Sequence, residues 1–162
     1  MGRSRPILCA SDATDAPVGG YGMQMEGCLM PVIDTRTITT AITGVASSAT
    51  GLGTGGARGI VVQVDLAYGS GGTSGVVYVQ TSLDAGVTWC DVVNMTWATA
   101  SKSRLHNLSS RTPVAPYAPT DGTLASDTTK DGIIGAIFRT KVSSVGTFAG
   151  GTTLITTITP EP

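Results

Sequence analysis

In "TSLDAGVTW", Ser82, Asp84, Gly86 and Thr88 fall on alternate positions, and Trp89 closes the run. A carboxylate between two hydroxyls could hold a sugar, or serve as half of an acid–base pair. Glycoside hydrolysis needs two carboxyl groups facing one bond. Glu26 and Glu161 are the only glutamates, one near each end of the chain, so a second carboxylate would have to come from a turn aspartate. The bland chemistry suits the spacing better. Asp84 can accept N–H groups across a turn, Gly86 can take a positive φ, and Thr88 can add a hydroxyl bond. Trp89 supplies an apolar anchor. These five residues are therefore read as a structural hairpin turn.

Other constellations are weaker. In "DTTKDG", Asp127, Thr129, Asp131 and Gly132 imitate the start of an EF-hand loop, and Asp121 stands nearby. The twelfth position, which needs a bidentate glutamate, is Phe138. Asp121, Asp127 and Asp131 are kept as weak metal candidates, and no cofactor is expected. His106 is the sole histidine, and without a G-x-S-x-G elbow to serve it is read as a surface or interface residue. "GLGTGG" fits G-x-G-x-x-G through Gly51, Gly53 and Gly56. A strand follows it where the dinucleotide fingerprint needs a helix, so it reads as a loop. Cys9, Cys28 and Cys90 form neither a disulfide framework nor a C-x-x-C pair. No catalytic residue is assigned.

The elements that must carry these residues are strands. "RGIVVQVDLAY" alternates Ile60, Val62, Val64 and Leu66 against Val61, Gln63 and Asp65. "TRTITTAITGV" (35–45), "VVYVQTS", "VTWCDVVNMTWA", "SRLHNLSS", "IIGAIFRTKVSS" and "GTTLITTITP" follow the same style, with "VGTFAGG" read as a hairpin loop between the last two. The stretch from Arg111 to Gly132 is rich in proline and Asp-Gly and cannot be a central strand. No helical period and no tandem repeat appear. The expectation is an all-β protein: a β-sandwich or jelly-roll-like domain over 35–160, preceded by an extended N-terminal arm over 1–34. The arm carries Ile7, Leu8, Met23, Met25, Leu29, Met30 and Val32 without a period that would bury them in one domain, so a neighbouring subunit is expected to cover them.

Only 13% of the 162 residues are charged, about half the usual share, and the net charge is −1. So little charge implies a surface built from Thr, Ser and Gly or covered by neighbours. No basic patch favours nucleic acid, no apolar run is long enough for a transmembrane helix, and no apolar signal segment opens the chain.

Two resemblances bear on function. S-x-D-x-G-x-T-W is the pattern of the Asp-box of sialidases and other sugar-processing propellers, where it builds a turn and supplies no nucleophile. A single copy excludes a propeller of repeated boxes. The phrases "VVYVQTSLDAGVTWCDV", "NLSSRTPVAPYAPTDGTLASDTTKDGIIGAIFRTKV" and "VGTFAGGTTL" resemble a group of small structural proteins encoded among the virion genes of tailed bacteriophages and prophages, over roughly residues 35 to 160. That resemblance implies a β-rich virion component without catalysis, assembled in the host cytoplasm. It would be a homo-oligomer that binds the major capsid protein or other virion subunits as a capsid decoration (cement) or minor capsid protein. The neck or tail is the alternative position. An alternative of another class is a carbohydrate-binding sandwich that would use the Asp-box hairpin with Trp89, Trp97, Tyr78 and Tyr117; a glycan is not the expected partner, because so few aromatics remain once a core is filled.

Overall fold

A computed structural model describes residues 31–52 and 57–161. The chain is all-β. Strands β1 (Val32–Thr37), β11 (Thr153–Glu161), β4 (Gly59–Ala67) and β8 (Lys102–Ser109) form one antiparallel sheet, in that spatial order. The second sheet runs β2 (Ile42–Ala46), β9 (Ile137–Val145), β6 (Ser74–Ser82), β7 (Cys90–Trp97), and the short β3 (Thr50–Gly51) also pairs with β9. A two-residue ribbon of β5 (Ser70–Gly71) and β10 (Phe148–Ala149) pairs beside them.

The two sheets bury one core between them. Ile60, Val62, Val64 and Leu66 of β4 point inward with Leu154 and Ile158 of β11, and from the other sheet come Val77, Val79, Met95, Phe138 and Val142. The alternation in β4 is thus the pattern of a strand with one face in the core. Each fully buried aliphatic side chain contributes about 1.5–3 kcal/mol before ordering costs.

Three local readings change. The run 35–45 is not one strand: β1 lies in the first sheet and β2 in the second, so the chain crosses the sandwich between Ile38 and Ala41. The "VGTFAGG" stretch is likewise no hairpin, because β9 and β11 belong to different sheets and β10 lies on the path between them. The sandwich also starts earlier than residue 35. Val32 is the exposed first residue of β1, Ile33 is buried, and the Ile158 N–H donates to the Pro31 carbonyl at 3.2 Å. Asp34 is a tie between sheets: its carboxylate accepts from the hydroxyl of Thr140 on β9 and pairs with Arg36 at 3.3 Å. Ile7, Leu8, Met23, Met25, Leu29 and Met30 lie outside the described residues.

The segment 110–136 is the least regular part and among the most firmly tied. It lies along β7, which would otherwise be a bare sheet edge. The Asp91 N–H donates to the Thr120 carbonyl, Asn94 N–H to Thr128, and Lys130 N–H returns a bond to Val92, at 2.8–2.9 Å. Asp91 holds the segment from its side chain. Its fully buried carboxylate accepts the N–H groups of Gly122, Thr123 and Leu124 and the amide of Gln80.

Every group around Asp91 is a donor, so only an acceptor-only side chain satisfies them all. Asp91→Asn places an NH2 against donors and Asp91→Ala leaves them unpaired. Both variants should lose about 3 kcal/mol or more in urea denaturation and become open to proteolysis within 110–136. Wild-type stability in either variant refutes this role.

Candidate functional site

The β6–β7 connection joins strands adjacent in both sequence and sheet, so a tight turn must close it. Ser82 ends β6, and its hydroxyl donates to Asp84 at 2.8 Å and accepts the Gly86 N–H at 2.9 Å. Asp84 in turn accepts the Thr88 N–H at 2.7 Å. Gly86 has φ +93°, which a β-branched residue rarely adopts. The Thr88 backbone bond, with help from the Thr88 and Ser82 hydroxyls, lowers the Asp84 pKa to about 2. Asp84 is therefore an ionised acceptor inside the turn at neutral pH.

Trp89 stands half-buried outside the core. The Arg139 guanidinium lies 4.1 Å from its ring centroid, within cation–π range. Arg139 also donates to Gln80 at 2.7 Å. Gln80 reaches Asp91 and Asp121, both at 2.7 Å, and Lys141 closes on Asp121 at 2.8 Å. The outer face of the second sheet is thus a polar network that joins the hairpin to the long segment.

Between them opens a cleft of about 290 Å³, lined by Leu83, Asp84 and Thr88 of the turn, Cys90 of β7, and Tyr117 and Pro119 of the segment. Its walls are mainly apolar. Tyr117 lies 3.9 Å from the Cys90 thiol, and Lys130 sits 3.2 Å from its ring centroid. Burial, reinforced by the neighbouring Cys90, pushes the phenol up to about 12, so it stays protonated at neutral pH. The cleft therefore presents the turn's ionised Asp84 carboxylate and a neutral Tyr117 phenol at neutral pH.

The aspartates of the segment are not brought together as ligands. Asp121 pairs with Lys141 and Arg139, Asp127 with Lys102 and Thr96, and Asp131 with Thr112 and the Ser109 N–H. Hydrogen bonds to these partners leave all three carboxyls below the usual range, although burial opposes the shift in each. Among the described residues, no cluster of three or more His, Cys, Asp or Glu side chains could hold a metal. Phe138, in the position where an EF-hand needs its glutamate, is fully buried in the core. Three of the four aromatics a glycan site would use already have a group packed on the ring. Trp97 is buried with its ring over Gly75, Trp89 is covered by Arg139, and Tyr117 has Lys130 over it.

His106 is buried, not a surface residue. It faces inward from β8, and its Nδ1 lies 2.6 Å from the Thr129 hydroxyl of the segment, while Nε2 has no partner. Burial first, and then the charge of Arg104, lower its pKa below 6.5, with Asp127 opposing. Sequence reasoning also passed over Asp91 and Gln80. A lone aspartate inside the apolar "WCDVVNMTW" was the available signal, since a charge there needs a buried partner.

Gly86→Val should cost roughly 1–3 kcal/mol through its forbidden φ. Asp84→Ala should lower the melting temperature through its lost turn bonds; unchanged thermal melts for both variants would refute the turn assignment. The depressed pKa of His106 makes a second prediction. Neutral His106 contributes stability that is complete above about pH 6.5 and is lost as pH falls below it, because the unfolded chain then binds the extra proton. The chain has a single histidine, so its replacement isolates this contribution. The melting temperature should fall as the pH drops below about 6.5, and His106→Gln should flatten that slope. A slope unchanged in the variant would assign it elsewhere. Compared with known proteins, the chain matches no family model, no curated protein and no solved structure, so its function has to be argued from its own geometry.

Proposed function

We propose that this chain is a non-enzymatic structural subunit of a bacteriophage virion. The position we favour is that of a capsid decoration (cement) subunit, which stabilises the shell by bridging major capsid subunits. One observation carries the reading: the described side chains able to do chemistry are tied into the scaffold, while large aliphatic side chains stand in solvent. Asp84, Asp91, Asp121, Asp127 and Asp131 each hold a loop or turn. Val45, Leu83, Val87, Val114 and Val145 are exposed on a chain whose charged content is only 13%. Single exposed aliphatics are ordinary. Their combination with so little charge suits a subunit that works surrounded by neighbours. The apolar residues Ile7, Leu8, Met23, Met25, Leu29 and Met30 would add a clamp, each buried side chain worth on the order of 1.5–3 kcal/mol before ordering costs.

The sandwich starts at β1, so a chain that begins at Pro31 keeps the Asp34 tie and the whole described core. It should still melt cooperatively yet fail to join particles assembled in cells that lack the full-length chain. Binding to particles at the full-length level would remove the clamp from the proposal. Quantitative mass spectrometry of purified virions tests position. Hundreds of copies support decoration, about a dozen or fewer support neck or tail, and absence from the particle overturns the virion reading.

A further inference from the structure

The cleft of about 290 Å³ lies at one end of the sandwich, and the described chain begins at that same end. Register fixes both positions. The Asp34 carboxylate accepts from the Thr140 hydroxyl, so β1 lies across the core from β9. Pro31 stands just before β1, and Phe138, near the start of β9, pairs through Thr81 with Cys90 of the cleft. The other end is marked by Ser144, whose hydroxyl donates to the Thr40 carbonyl beyond the last residue of β1. Pro31 and Cys90 are thus at about one level, separated by the gap between the sheets and by the two steps from β9 to β6 to β7. At about 10 Å between sheets and about 4.8 Å between strands, that separation is roughly 15 Å. The cleft's chemistry narrows what it takes. Leu83, Pro119 and Ile133 make its walls apolar, Leu83 is 73% exposed, and Asp84 is already committed to the Thr88 N–H. A cavity of about 150 Å³ holds a benzene-sized group, so this one has room for roughly two flexible apolar side chains.

We propose that this cleft seats Met23 and Met25 of the same chain. Reach decides among the apolar residues that precede Pro31. An extended chain covers about 3.3–3.6 Å per residue, so Leu29 and Met30 span at most about 7 Å from Pro31 and fall short. Met25 and Met23 lie far enough back to span about 20 and 26 Å. Side chains two apart on an extended chain point the same way, so both methionines enter together. The same alternation turns Gln24 and Glu26 to solvent, away from the ionised Asp84. Ile7 and Leu8 are adjacent and would point apart, on a tether several times longer. Methionine also suits the walls. It is unbranched, fills irregular gaps, and its thioether packs well at the edge of a ring such as that of Tyr117. A short tether presents its side chains at an effective concentration on the order of millimolar, well above that of a free partner or a second copy at ordinary protein concentrations. Seated so, the base of the arm stays with its own subunit, and Ile7 and Leu8 remain to reach a neighbour. The inference does not depend on the virion reading.

Alkylation of Cys90 by iodoacetamide in the native full-length chain, followed by peptide mass spectrometry, tests it, because that thiol lines the cleft. Met23→Ser and Met25→Ser together should raise the rate at Cys90 by about tenfold or more. Leu29→Ser and Met30→Ser together, the control, should leave it at the wild-type rate. All four residues precede the described sandwich, so both double variants should melt as cooperatively as the wild type. The wild-type rate constant should also be the same in dilute and concentrated protein, as an intramolecular contact requires. The proposal fails if the Met23 and Met25 pair leaves the rate unchanged, or if the Leu29 and Met30 pair raises it as much. It fails equally if protection of Cys90 is lost on dilution, which would give the cleft to the arm of another copy.

Discussion

Burying a carboxylate is among the costliest things a small domain can do, and the arrangement of the second sheet follows from how Asp91 avoids that cost. Several kcal/mol of lost hydration must be offset by donors fixed in place. Gln80 beside it on β6 supplies one, and three consecutive N–H groups, Gly122 to Leu124, supply the rest. A nest of backbone N–H groups forms only if the segment turns over β7 at that point; Gly122, at φ +87°, allows the turn. Once the segment is held there, its downstream backbone falls alongside β7 and exchanges bonds with Val92 and Asn94. Tyr117 and Pro119 are thereby set against the hairpin turn, which creates the cleft.

The same tie matters because the fold is otherwise built from distant partners. β1 pairs with β11 and β2 with β9, and most successive strands switch sheets. Loop closure must be met before such contacts return any energy, which slows folding. The β6–β7 hairpin is the exception, and its turn is closed by side chains within seven residues of one another. Rigid turn chemistry at that point is physically apt, because it fixes the register of the strand that Asp91 sits on.

What was legible in the sequence follows the same division between local and distant. The inward face of β4 and the Asp84–Gly86 turn depend on neighbours along the chain, and their patterns could be read directly. The crossing at Ile38–Ala41 could not, because alternation continues through it and a period of two does not say which sheet a strand joins. Glycines in "VGTFAGG" signal a change of direction, yet a crossover needs that as much as a hairpin does. The prolines of the long segment correctly exclude a central strand, but they do not exclude lying along an edge with Thr128 and Lys130. His106 was misjudged for a related reason. Its flanking residues are polar, and only the distant Thr129 shows that its ring is enclosed.

Surface chemistry ties these features to use. Among the described residues, ion pairs join Lys141 and Arg139 to Asp121, Lys102 to Asp127 and Arg36 to Asp34. Such pairs lie around the second sheet, on the long segment and between the sheets, and exposed pairs add little stability in isolation. Their effect is positional, since each joins a loop or edge to the sandwich. The threonine face of the first sheet needs no such ties, because regular strands already hold every residue on it. Asp65 on that face is held by its strand neighbours Gln63 and Ser103. The two sides of the sandwich are therefore held differently: polar ties bind the long segment to the second sheet, while the regular ladder of its strands holds the first.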